Sequence, residues 1–108
     1  MKIYNDQPIR FEIEGRHLVS VIKKISAIIK TNTLIIAASD GKLALIINDN
    51  DRYMIHDLEA ASVQNNGCFM VNTANLIGLF GNRGQILVKQ DKLLEFKAVD
   101  GPYKGSLN

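Results

Sequence analysis

The chain has 108 residues, of which 46% are hydrophobic and 22% charged, with a formal net charge of +2. A chain of that length is expected to form one domain and to bury about two-thirds of its unfolded surface without staples. One cysteine, Cys68, excludes an intrachain disulfide and a cysteine-based zinc site, and the slight basicity is compatible with a polyanionic partner without demanding one.

Met1-Lys2-Ile3-Tyr4-Asn5-Asp6 lacks the apolar run of a signal peptide. No stretch approaches the ~20 apolar residues of a membrane span. The expectation is a cytoplasmic protein with no membrane partner.

Arg10 to Glu14 alternates, with Phe11 and Ile13 on one face and Arg10, Glu12 and Glu14 on the other, which predicts a half-buried strand. From Arg16 to Lys30 the period changes. Leu18, Val21, Ile22, Ile25, Ile28 and Ile29 recur at helical spacing and form one apolar stripe, opposite Ser20, Lys23, Lys24, Ala27 and Lys30. Thr33 to Ala38 reads as a strand. Asp40-Gly41 then predicts a hairpin, because both residues tolerate positive φ, and Leu43, Leu45 and Ile47 share one face of the next strand. Asn48 to Asp51 is a predicted turn, Arg52 to Ala60 a single strand, and Ser62 to Gly67 a polar connector between halves.

Gly67 to Val71 begins a second series. Asn72 or Thr73 can cap a short helix whose inner stripe is Leu76, Leu79 and Phe80, with Asn75, Gly78 and Asn82 facing away. Gly81-Asn82-Arg83-Gly84 stops it. Gln85 to Lys89 and Lys92 to Ala98 are expected strands, followed by a turn at Val99 to Pro102 and a last strand near Tyr103 to Leu107. Strand, helix and three strands thus occur twice, in halves at about 9–61 and 67–107, with Phe11, Leu18 and Val21 answering to Phe69, Leu76 and Leu79.

Chemistry is sparse. His17 and His56 have no partner at metal-ligand spacing. Asp40, Asp49, Asp51 and Asp100 fall in predicted turns, where aspartate serves the turn's own backbone. The run Asp49-Asn50-Asp51 lacks the later glycine and glutamate of a calcium-binding hand. Cys68, beside Phe69, Met70 and Val71, reads as a structural thiol. No catalytic residue, metal or cofactor is expected, and the chain is not expected to be an enzyme. The polar side of the first helix stands out: Arg16, Lys23, Lys24 and Lys30, with no carboxylate between Arg16 and Lys30. The polar side of the second helix, followed by Arg83, is also free of acid. Such surfaces suit a phosphate backbone without reading sequence.

The order β-α-β-β-β taken twice, with Asp40-Gly41-Lys42-Leu43-Ala44-Leu45 in the hairpin, resembles one domain of the bacterial DNA sliding clamp, the β subunit of the replicative polymerase. Phe11 to Glu14, Leu18 to Ile29, Phe69 to Asn72, Leu76 to Phe80 and Lys92 to Phe96 fill the family's places. Asp100-Gly101-Pro102-Tyr103 resembles the turn before a clamp domain's last strand, so the likeness covers about 9 to 105. The resemblance implies an α+β DNA-clamp fold in which two helices pack on two antiparallel sheets. It also implies a processivity factor that joins copies of itself edge to edge, surrounds duplex DNA, and works with a DNA polymerase and a clamp loader. On that basis Arg16, Lys23, Lys24, Lys30 and Arg83 would face DNA.

Two departures from the family stand out. A clamp protomer has three such domains and this chain has one, so it would be an excised domain, a subunit of a higher oligomer, or a stand-alone relative from a phage or mobile element. The proline-containing segment usual between the first helix and the next strand is missing. The family's peptide pocket lies mainly in its last domain, and no pocket residue carries over. The alternative is a clamp-like interaction protein that docks on a clamp or polymerase and regulates it without encircling DNA.

Overall fold

The computed structural model describes residues 8–49 and 52–107. Strand β1 (Ile9–Glu14) buries Ile9, Phe11 and Ile13 and turns Arg10, Glu12 and Glu14 outward, as the two-residue pleat dictates. Helix α1 (Gly15–Ser26) follows without a loop and buries Leu18, Val19, Val21, Ile22 and Ile25. It ends four residues earlier than its periodicity predicts. The Ala27 N–H still reaches Lys23, but the Ile28 N–H closes on Ile25 at 2.9 Å, a tighter turn that stops the helix. Ile29 therefore stays in the core while Ile28 points out, 53% exposed, rather than joining the apolar stripe. Lys30 lies beyond the helix, on the link to β2 (Thr33–Ser39).

Strands β2 and β3 (Lys42–Asn48) form the expected hairpin, with Asp40 at φ 53° and Gly41 at φ 80°. Two consecutive positive φ values match the right-handed twist of the strands they join. The stretch 52–60 is not one strand. It divides into β4 (Tyr53–Leu58), which pairs with β3, and β5 (Ala60–Gln64), which pairs with β1 in the other sheet. The break at Glu59 lets the chain cross between layers. Ser62 to Gln64, expected as connector, belongs to β5, where Ser62 at φ 56° accompanies a register shift against β1. The turn proper is Asn65-Asn66. The Asn65 side chain donates to the Pro8 carbonyl at 2.6 Å, and the Asn66 side chain accepts from the Asp40 N–H at 2.9 Å.

The chain continues through β6 (Gly67–Asn72), α2 (Thr73–Phe80), β7 (Gln85–Gln90), β8 (Leu94–Ala98) and β9 (Lys104–Leu107). The described residues make two antiparallel sheets, ordered β4-β3-β2-β6 and β5-β1-β7-β8-β9, with the two helices, an α+β architecture. The strand order repeats. β6-β2-β3-β4 in one sheet answers to β1-β7-β8-β9 in the other, so each half lends its first strand to the other half's sheet. β5 is the addition that breaks the correspondence.

One core lies between the layers, including Phe11, Leu18, Ile36, Leu45, Phe69, Leu76, Phe80, Ile86 and Phe96. Phe80 meets Phe96 edge to face at a centroid distance of 5.3 Å, the arrangement that ring quadrupoles favour. No described helix is long and apolar enough to cross a membrane.

Candidate nucleic-acid interface

The helices pack against each other in opposite directions, and each start is tied to the other's exit. The Gly15 N–H donates to the Gly84 carbonyl at 2.9 Å, and the Thr73 N–H to the Asn32 carbonyl at 3.0 Å. These two bonds occupy equivalent places, each joining a helix's first residue to the residue before the other half's second strand. They also satisfy N–H groups that an α-helix leaves free at its start. α1 has no side-chain cap at Glu14, and its second N–H, on Arg16, donates to Arg83 at 3.1 Å. α2 has one: the Asn72 side chain accepts from the Asn75 N–H at 3.2 Å.

This packing leaves the outer side of α1 facing solvent. Arg16, Ser20, Lys23, Lys24 and Ala27 are all exposed along it. Lys23 lies seven positions beyond Arg16, about 10 Å along the axis, so the cations fall into two groups. Arg16 and Arg83 meet at one end, where their backbones are hydrogen-bonded. Lys23 and Lys24 occupy the last turn of α1, where the helix dipole favours positive charge, and exposed Lys30 follows. Along α2 the exposed residues are Ala74, Asn75 and Gly78, small and uncharged, with Asn82 just beyond.

Two details qualify the sequence expectation. The Arg16 guanidinium lies 3.8 Å from the Glu14 carboxylate. Glu14 precedes the acid-free stretch in sequence but sits beside it in space, and it offsets part of that charge. Arg83 holds its guanidinium carbon 3.6 Å above the Tyr103 ring centroid, and the Tyr103 hydroxyl donates to the Leu79 carbonyl at 2.5 Å. A stacked guanidinium keeps its edge donors available while its plane is fixed. In the sequence Tyr103 is marked only by the Asp100-Gly101-Pro102-Tyr103 turn, which says nothing about what the ring meets.

The other candidates are accounted for locally. His17 is half-buried, and its Nε2 accepts from the Glu59 N–H at 3.2 Å, tying α1 to the crossover between sheets. His56 Nδ1 lies 2.8 Å from the Asp57 carbonyl, so that nitrogen carries the proton. The Asp49 side chain accepts from the Arg52 N–H at 2.8 Å and closes its own turn; Asn50 and Asp51 lie outside the described residues. Burial pushes the Cys68 thiol above its ordinary pKa, the opposite of what an activated nucleophile needs. Among the described residues no three His, Cys, Asp or Glu side chains converge as a metal would require. A concavity of about 620 Å³ lies on the outer face of the five-stranded sheet around Leu87, Glu95, Lys97 and Lys104, and holds no histidine.

No family model matches the chain, and no curated protein matches it.

Proposed function

We propose that the chain is a clamp-type domain, with the DNA-clamp fold, acting in the cytoplasm as a DNA replication processivity factor rather than as an enzyme. One observation carries the proposal. Two helices lie antiparallel with mirrored hydrogen bonds at their ends, and the exposed side of α1 carries Arg16, Lys23 and Lys24, with Ser20 and Ala27 between them and Glu14 beside Arg16. Loose attraction to phosphate needs fixed cations and room for water rather than base-reading side chains. The second ingredient is a means of assembly. Among the described residues β4 and β9 end their sheets and are paired on one side only, so an edge of one copy can extend the sheet of the next. Six single domains would close a ring of six times 12.0 kDa. A polymerase and a clamp loader are the protein partners this function requires.

Replacing Lys23 and Lys24 together by glutamine tests the DNA face. Each lost phosphate contact lowers the slope of log affinity against log salt by about 0.9, so the pair accounts for up to ~1.8, or roughly twelvefold in affinity between 50 and 200 mM salt. The expected result is weaker duplex binding at low salt, a shallower slope and an unchanged melting curve. Affinity and slope both equal to wild type would overturn the assignment of this face. Closed circular DNA should retain the protein at salt that strips it from linear DNA, and equal loss from both would count against encirclement.

A further inference from the structure

The two sheets occupy equivalent places but differ in what they show outward. On the five-stranded sheet the central cross-strand row reads Glu12, Leu87, Lys97, Lys104, and the next reads Arg10, Lys89, Glu95, Ser106. On the four-stranded sheet the corresponding rows read Met70, Ile35, Ile46, Ile55 and Cys68, Ala37, Ala44, Asp57. Among the described residues none of these belongs to the buried core, and Met70, Ile35, Ile46, Cys68, Ala37 and Ala44 are half-buried; those of the four-stranded sheet alternate with the buried Leu34, Ile36, Leu43, Leu45, Phe69 and Val71. Ile55 is 60% exposed and Tyr53, on the same strand face, 71%. An antiparallel sheet with one wet face is expected to alternate apolar-in and polar-out, and near-continuous apolar strands belong to sheets covered on both sides. The lysines and glutamates at the equivalent positions show that the architecture itself does not call for an apolar outer face.

We infer that the outer face of the four-stranded sheet is a self-association surface, against which a second copy of this chain packs the same face across a two-fold axis. The choice of occupant follows from charge and shape. A two-fold sets each surface against itself, which would oppose like charges on the cationic side of α1 and would take six charged side chains per copy out of water on the five-stranded sheet, where Glu12, Lys97, Lys104, Arg10, Lys89 and Glu95 fill the two rows. The four-stranded face has one charge in its two rows, Asp57 at its edge. Its rows also differ in size. With the axis running across the strands midway between them, Ile35 and Ile46 of one copy lie over Ala37 and Ala44 of the other, so bulky side chains meet small ones. Aligned sheets pack about 10 Å apart in this manner, and an isologous contact repeats each such pair. The face is about 19 Å wide and 17 Å long in plan, smaller than the ~800 Å² per partner of a standard interface, so the dimer forms and dissociates with concentration. This contact uses a sheet face and leaves the edges and helices free, so it stands whether or not the chain encircles DNA.

Sedimentation equilibrium of the full chain over a hundredfold concentration range tests it. Ile46→Lys places lysine where the other sheet already has Lys97, so the fold is expected to tolerate it. Ile55→Lys, whose counterpart on the other sheet is Lys104, is the second variant. Each should weaken association at least tenfold with an unchanged circular dichroism spectrum. Leu87→Lys, the same change at the counterpart of Ile35, should leave association as in wild type. Ser106→Pro alters a free edge and should leave the face dimer intact. A wild-type chain that stays at 12.0 kDa throughout, or lysine variants that associate as tightly as wild type, would overturn the self-association surface and indicate another occupant. Duplex affinity of Ile46→Lys measured below the dimerisation range reports separately on the DNA face.

Discussion

Gly15 begins α1 where that helix touches α2, and a methyl group placed on it would lie 2.5 Å from the Phe80 carbonyl oxygen and 3.0 Å from the Arg83 Cβ. The nearer atom is backbone, the carbonyl of the last residue of α2, which is held by the Arg83 N–H at 3.2 Å and cannot rotate away as a side chain could. Gly15→Ala must therefore push the helices apart by several tenths of an ångström and loosen the Gly15 and Arg16 hydrogen bonds to the α2–β7 turn. Overpacking of this kind costs about 1–3 kcal/mol. The helix preference of alanine over glycine offsets at most ~1 kcal/mol, and less at a first helical position. A net loss of about 1–2 kcal/mol is expected. With a urea m-value of roughly 1.5 kcal/mol/M the midpoint falls by about 1 M. Gly78 is the internal control. It lies within α2, exposed, with no atom within 4 Å of the added carbon, so Gly78→Ala should gain about 0.5–1 kcal/mol. Paired urea titrations of the two variants decide the matter. If Gly15→Ala matches or exceeds wild-type stability while Gly78→Ala behaves as stated, the close approach of α1 to α2 is wrong, and the shared helix face with it.

Asn72→Ala removes the side chain that accepts from the Asn75 N–H and should cost about 1 kcal/mol in the same titration; no change would mean that the Thr73 link to Asn32 alone holds the start of α2. Burial raises the Cys68 thiol, so its alkylation should be slower in the folded chain than in urea at the same pH and should keep rising beyond pH 9. Because the folded value is the higher one, the stabilising contribution is complete below the unfolded value and fades as pH rises through the folded one. Stability should therefore decline in the alkaline range, and less so in Cys68→Ala; equal alkylation rates in both states would refute the burial.

Much of the layout was legible because local chemistry and tertiary packing agree. The alternation of Arg10 to Glu14, the Asp40-Gly41 hairpin and the Asn72 cap each follow from one or a few neighbouring residues, and each is found where the pattern puts it. Legibility failed where the deciding partner is distant. Nothing between Arg52 and Gln64 announces that β4 joins β3 while β5 joins β1, since both choices satisfy the same short apolar pattern. Ile28 and Ile29 both fit the helical stripe, so the pattern runs past the end of α1 at Ser26, and only Ile29 stays inside. The cations of α1 could be assigned to one side of a helix from spacing alone. The stacking of Arg83 on Tyr103 and the nearness of Glu14 to Arg16 could not, because each depends on where two segments end up relative to each other.

By itself, then, the sequence determined most of the elements, the twice-used pattern and the side of α1 on which Arg16, Lys23 and Lys24 fall, because helix and strand periods are properties of consecutive residues. Only the tertiary structure decided that each half lends a strand to the other's sheet, that the helices lie side by side with exchanged hydrogen bonds, and that Met70, Ile35, Ile46 and Ile55 form a row on a face their own core does not use. Those outcomes rest on hydrogen bonds and contacts between residues far apart in the chain, and periodicity along the chain contains no information about which distant strand lies alongside.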